Sequence, residues 1–196
     1  MGFTYKATCV ALRGLFGYGA GWKIEGLENI PKDGGLIVVA NHQSNFDPPI
    51  LGCSLNRHVH FMAKEELFDG FIKNAYMRAV GSFPVKRGAA DMGAIKTALK
   101  LLKDGQVLGL FPEGTRSKTG KLRKAKLGAV MLAVKSKAPI VPVGLKGTQH
   151  PFKEDLEINI GKPFTLDEFY GRKLEKSEMR AAGEVIMGKI GELLEQ

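Results

Sequence analysis

Short, unbroken apolar runs alternate along this chain with longer stretches in which apolar residues recur every three or four positions. Leu36-Ile-Val-Val-Ala40 follows Gly34-Gly35 and reads as a strand buried on both faces. His58–Met62, Val80–Val85, Val107–Phe111 and Ile140–Leu145 read as further strands, and Glu157–Ile160 as an edge strand. Pro48–Leu55, Glu65–Met77, Met92–Leu102 and Leu127–Val134 fill the gaps as helices, and Leu174–Leu194 carries Met179, Ala182, Ile186, Ile190 and Leu193 at helical spacing. Strand and helix in alternation predict an α/β domain. With 196 residues, 44% of them apolar, and no repeat or linker, the chain has enough material for one sizeable core.

In open α/β sheets, ligands collect beyond the carboxyl ends of the strands, and that is where this chain places its ionisable residues. The run ending at Ala40 passes directly into Asn41-His42-Gln43-Ser44-Asn45-Phe46-Asp47-Pro48-Pro49. On one helix His42 and Asp47 would diverge by about 140°, so they can meet only across a loop. Asp47 before Pro48 is a good helix start, with Asp as the cap. A carboxylate held there can accept from one imidazole nitrogen and leave the other as a base. A capping Asp beside an incidental loop His has the same spacing. The run Leu108-Gly-Leu-Phe111 enters Pro112-Glu-Gly-Thr-Arg-Ser117 in the same way, where Gly114 allows close backbone approach and Arg116 offers a planar fork suited to phosphate. Lys86 and Arg87 follow a third strand and Lys64 a fourth, so cations recur at strand ends as if around one phosphate pocket. Pro142 inside Ile140–Gly144 implies an edge position or a bulge and a place in a site wall. His58 and His60 lack a third nearby ligand and read as structural, with no metal site.

The formal charge is +9, and Ser117–Lys153 holds Lys118, Lys121, Arg123, Lys124, Lys126, Lys135, Lys137, Lys146 and Lys153 without one acidic residue. Nucleic acid, anionic lipid and phosphorylated small substrates all fit that sign. No interleaved aromatics and no helix-turn-helix or RNA-recognition signature accompany the stretch, so a nucleic-acid partner is not expected. Cys9 and Cys53 form neither a disulfide framework nor a zinc motif, which favours a reducing compartment. At the N-terminus, Arg13 cuts the apolar run Ala7–Leu12 below the length of a signal-peptide core. Tyr5, Cys9, Leu12 and Phe16 recur at helical spacing with Lys6 and Arg13 on another face, a pattern that fits a helix on a membrane surface or one docked on the protein's own core.

Taken together, the H-x-x-x-x-D block His42–Asp47, the block Gly81–Arg87, the block Phe111-Pro-Glu-Gly-Thr-Arg-Ser117 and Val141-Pro-Val143 resemble, in content and order, the glycerolipid acyltransferases that include bacterial 1-acylglycerol-3-phosphate acyltransferases. The resemblance spans roughly residues 26–162. It implies a mixed, mostly parallel sheet flanked by helices, with residues 1–22 as an amphipathic interfacial helix and 23–196 as the acyltransferase domain. It also implies transfer of an acyl group from acyl carrier protein or coenzyme A to the sn-2 hydroxyl of 1-acyl-sn-glycerol 3-phosphate, giving phosphatidic acid, without a further cofactor, at the cytoplasmic face of the membrane. By the same resemblance His42 is the general base, Asp47 its orienting carboxylate, and Glu113, Gly114, Thr115 and Arg116 the glycerol-phosphate block, with Arg87 and Lys64 adding charge. Another glycerol phosphate or lysophospholipid acceptor, or a silent lipid binder, remains an alternative. Relatives commonly carry hydrophobic N-terminal helices, so the short, Arg-interrupted segment here implies peripheral attachment. Basic residues 118–126 are expected to add about 1 kcal/mol per cation on anionic lipid.

Overall fold

A computed structural model describes residues 2–17, 21–86 and 91–195. Seven strands form one sheet: β1 Trp22–Glu25, β2 Leu36–Ala40, β3 Val59–Lys64, β4 Phe83–Val85, β5 Val107–Leu110, β6 Ile140–Lys146 and β7 Leu156–Ile160, in the order β1-β7-β6-β2-β5-β3-β4. All neighbours run parallel except β6 and β7. The α/β architecture is therefore the one that this alternation of runs predicts, and the mixed, mostly parallel sheet the one that the resemblance implies.

The helices α1 Phe3–Gly17, α2 Asp47–Ser54, α3 Phe71–Ala79, α4 Met92–Lys103, α5 Leu127–Ser136 and α6 Lys176–Leu194 cover the sheet. Strand alternation sends Ile37 and Val39 of β2 into a core shared with α4, α5 and α6, and Leu36, Val38 and Ala40 into a second core with α2 and Phe16 of α1. Every residue of β2 is buried, as its continuous apolar run requires. Local signals agree: Asp91 caps α4 by accepting from Ala94 N at 3.0 Å, and Glu175 with Glu178 forms a capping box on α6.

Several boundaries differ from the sequence reading. Residues 65–77 hold a short 3-10 turn, Glu65–Phe68, before α3, and the strand expected from Val80 starts at Phe83. The expected edge strand, β7, is covered on its outer side by β1, whose four residues are too short for a sequence pattern. Pro142 is likewise internal, because β6 pairs with both β2 and β7. Its carbonyl accepts from Gly161 N at 2.9 Å, just past the end of β7. The missing N–H thus faces the point where the partner strand finishes, and the bonds to β2 are kept. Pro142 lines neither cavity described below, so it shapes no site wall.

The N-terminal helix docks on the protein: Tyr5 and Phe16 are buried, and Arg13 Nε donates to the Cys53 carbonyl at 2.8 Å. Its remaining face leaves Phe3 87% and Val10 73% exposed. Among the described residues no helix is long and apolar enough to cross a membrane.

Candidate active site

Because β2 and β5 lie side by side and parallel, with Val39 opposite Leu110, the loops that leave them emerge together at one sheet edge. The helix after β2, α2, packs on one sheet face, whereas α5, which follows β5, packs on the other. Adjacent strands whose chains depart to opposite faces open a crevice between them. His42 and residues 111–117 sit in that crevice.

The first loop is held by its own polar groups. Asn41 is 1% exposed, and its amide donates to Leu145 O at 2.9 Å and accepts from Leu145 N at 2.8 Å, extending the β2–β6 pairing by one side chain. Asp47 does not cap α2 but is its first residue, behind the cap position Phe46. Its carboxylate turns back into the loop instead. Oδ2 accepts from His42 Nδ1 at 2.7 Å, Gln43 N at 2.6 Å and Ser44 N at 2.7 Å. A carboxylate only accepts, so the neutral imidazole carries its proton on Nδ1 and leaves Nε2 as the acceptor. The His42 ring stacks on Phe111 at 4.3 Å between centroids, and Phe111 stacks in turn on Phe61 at 5.9 Å. Phe61 has room only because residue 109 is glycine: a Cβ there would lie 2.2 Å from its ring.

The second loop grips the backbone of the same histidine. His42 N donates to Glu113 Oε1 at 2.9 Å, and Ser117 N donates to His42 O at 2.7 Å. Glu113 Oε2 accepts from Arg123 N at 3.2 Å, so this carboxylate, 1% exposed, spends both oxygens on main-chain N–H groups. Burial pushes its carboxyl above the usual range, with the His42 and Arg123 N–H bonds opposing that shift. Both oxygens of Glu113, expected in the phosphate block, are thus engaged by the main chain of His42 and Arg123. Gly114 takes φ +69°, and a Cβ there would meet the Lys126 side chain at 2.9 Å.

Two cavities flank His42. One, of about 730 Å³, is mostly apolar and is lined by His42, Phe61, Leu110, Phe111, Met131 and Leu132 together with Tyr5, Cys9 and Cys53 from α1 and α2. The other, of about 520 Å³, is lined by Gln43, Thr115, Arg116, Ser117, Lys118 and Gln149. The expected phosphate residues are thus divided. Thr115 and Arg116 face the polar pocket, Gly114 and Lys64 line the apolar cavity, and Glu113 lines neither. Lys64 is engaged by Glu66 at 2.7 Å. Arg87 lies outside the described residues. His58 and His60 stack at 4.5 Å, and His60 Nδ1 bonds with Gly81 O at 3.0 Å.

The supporting roles of Asn41, Phe61, Gly109 and Lys126 are absent from the sequence reading. Gly109, inside a buried strand, was the one available signal of a close approach.

An α/β sheet whose adjoining strand ends present a hydrogen-bonded His–Asp pair between an apolar and a cationic cavity is suited to acyl chemistry on an amphiphile. The sequence profile of the acyltransferase family matches residues 21–146, and the chain belongs to that family. The 1-acyl-sn-glycerol-3-phosphate acyltransferase of Bacillus subtilis (strain 168) is 34% identical over 194 residues, covering 96% of each chain. A chloroplastic enzyme of the same description, LPAT1 of Arabidopsis thaliana, is 40% identical over 128 residues, 64% of this chain and 36% of that one. Among solved structures, the 1-acyl-sn-glycerophosphate (LPA) acyltransferase PlsC from Thermotoga maritima superposes with a TM-score of 0.77 at 32% identity, covering 98% of this chain and 80% of that one.

Proposed function

We propose that the protein moves a fatty acyl group from a thioester of acyl carrier protein or coenzyme A to the sn-2 hydroxyl of 1-acyl-sn-glycerol 3-phosphate, giving phosphatidic acid. The observation that carries this reading is the position of His42. Its ring lies on the wall of an apolar cavity, while Gln43, the next residue, lines the pocket holding Arg116.

His42 Nε2 takes the acceptor hydroxyl proton as the oxygen attacks the thioester carbonyl carbon. Asp47 keeps the Nδ1 proton in place and stabilises the imidazolium that forms. The tetrahedral intermediate then expels the thiolate, which recovers the proton from His42 and leaves as the thiol. The ester forms as the thioester breaks, with no acyl-enzyme and no cofactor. Arg116 and Thr115 hold the phosphate through charge-assisted bonds, and the apolar cavity, inside the roughly 300–1,000 Å³ range of ligand pockets, takes acyl chain. Association with the membrane is peripheral, at the cytoplasmic face, through the exposed Phe3 and Val10 of α1 and Phe71 and Ile72 of α3, with Lys6 and Lys73 beside them.

The test is transfer to lysophosphatidic acid from both donors in parallel, native against His42→Ala. Loss of about 10²–10⁴-fold in kcat with circular dichroism unchanged is the expected result. A fully active variant would sink the reading.

A further inference from the structure

We infer that the loop Lys118–Lys126 is the docking surface for the carrier of the acyl donor, and that this carrier is a small acidic protein bearing the acyl chain on its thiol arm. The inference rests on the acyl-transfer reading above.

Three observations carry it. The first is unspent charge. Lys118, Lys121, Arg123, Lys124 and Lys126 are all exposed, and among the described residues none has a carboxylate within 4.0 Å. Elsewhere some exposed lysines have acids beside them, as in Lys23–Glu25, Lys100–Asp104 and Lys189–Glu192, and others such as Lys73 and Lys103, among the described residues, do not; what sets the loop apart is five such cations within nine residues. An uncompensated run keeps its field directed at whatever approaches.

The second is fixation to the reacting centre. Residues 111–126 contain no helix or strand, yet Ser117 N bonds His42 O at 2.7 Å, Gln43 Nε2 bonds Gly120 O at 3.3 Å and Lys126 N bonds Pro112 O at 2.8 Å. Arg123 N and His42 N share the Glu113 carboxylate. A partner seated on this loop is therefore placed relative to His42. The loop also ends at the reaction chamber, since Lys126 lines the same cavity as His42.

The third selects the occupant. No large apolar side chain is exposed between residues 93 and 126, whereas Phe3, Val10, Phe71 and Ile72 are exposed on α1 and α3. Thr8 of α1 and Tyr76 of α3 share a hydroxyl contact at 3.4 Å, so those two helices form one apolar footing for a bilayer. The basic loop precedes α5, on the opposite sheet face from the core that Phe16 of α1 enters. Its cations are strung over nine residues instead of gathered around one phosphate, which matches an acidic protein surface better than a nucleotide. Rim charges of this kind steer and orient a protein partner.

The test uses Lys121→Glu/Lys124→Glu, two side chains that line neither cavity. Transfer to lysophosphatidic acid is measured with palmitoyl-loaded acyl carrier protein and with palmitoyl-coenzyme A, alongside anisotropy of labelled palmitoyl carrier protein and flotation with phosphatidylglycerol–phosphatidylcholine vesicles. The KM for the loaded carrier should rise about tenfold or more, and more at low salt, while that for the coenzyme A thioester stays within about twofold. Vesicle retention should be unchanged. Equal increases for both donors, a native protein that accepts only coenzyme A thioesters, or lost vesicle binding with unaltered donor kinetics each overturn the proposal. If the native protein transfers from neither donor, the acyl-transfer reading fails, and anisotropy still decides: carrier binding weakened by the double variant sustains the dock, and no binding removes it.

Discussion

Two buried carboxylates hold the same histidine from neighbouring strand ends, and they do so differently. Asp47, after β2, meets the imidazole itself through Nδ1. Glu113, after β5, meets only the main chain of His42 and of Arg123. In the proposed transfer, a group bonded to the ring would feel the proton that His42 takes up. One bonded to the backbone fixes where the ring stands. Similar burial, at 0% and 1% exposure, thus serves two purposes, which separate only when the hydrogen-bond partners are named.

The largest effect expected is at Asp47. Asp47→Asn replaces an anionic acceptor of three N–H groups by a neutral amide and releases the ring tautomer, so kcat should fall about 10²–10⁴-fold. Groups acting as one unit are strongly non-additive, so Asp47→Asn/His42→Ala should be little slower than the slower single variant. Steady-state rates of the three variants check this, and a double variant slowed by the product of both losses would break the assignment of Asp47 to the imidazole.

Next in size is the contrast between Arg116 and Glu113. Arg116→Ala should raise the KM for lysophosphatidic acid about tenfold or more, the scale of a lost charged hydrogen bond, and leave an unphosphorylated monoacylglycerol acceptor unaffected. Glu113→Gln should instead lower kcat about tenfold for both acceptors with KM little changed, since one Arg123 N–H loses its acceptor and the loop relaxes by about 1.5 kcal/mol. A KM effect confined to the phosphorylated acceptor would make Glu113 a phosphate ligand after all.

Glu113 also leaves its mark on the pH dependence of folding. Burial raises Glu113 above its ordinary value of 4.5, so the folded protein binds the proton more tightly than the unfolded chain. That contribution is complete below 4.5 and is lost as pH rises through the higher folded value. Denaturant titrations across this window should show the native protein losing stability relative to Glu113→Gln as pH increases.

What the chain discloses in advance follows the same division. Asp47 and His42 lie within one local segment, so their types and spacing can be read together, and the strand before them is a continuous apolar run. Glu113 sits in an equally visible segment, but its partners, His42 N and Arg123 N, are main-chain groups with no residue signature. The sequence suggested one phosphate pocket because cations recur at strand ends. Packing separates them, since the side of the crevice each one faces depends on turns such as that at Gly114, with φ +69°. β1 carries no sequence pattern of its own, because its four residues pair with β7, a partner far along the chain. The apolar cavity is assembled from α1, α2, β3, β5 and α5, so no local pattern announces it.

The smallest effect on turnover is expected at the third support of His42, the aromatic column behind its ring. Gly109→Ala sets a methyl 2.2 Å from the Phe61 ring, in a sheet centre that cannot move aside. Overpacking of this kind costs about 1–3 kcal/mol, and at about 2–4 °C per kcal/mol for a chain of this length the melting temperature should drop by several degrees. Turnover should change only a few-fold, because Phe111 still stacks on His42 and both carboxylates keep their bonds. Phe61→Leu added to Gly109→Ala should recover much of the stability by vacating the space the methyl needs. It should not recover the rate, since Phe111 then loses the ring it stacks upon at 5.9 Å. Recovery of both together, seen by calorimetry and initial rates on the same samples, would mean that the column only fills volume and that the two carboxylates alone position the base.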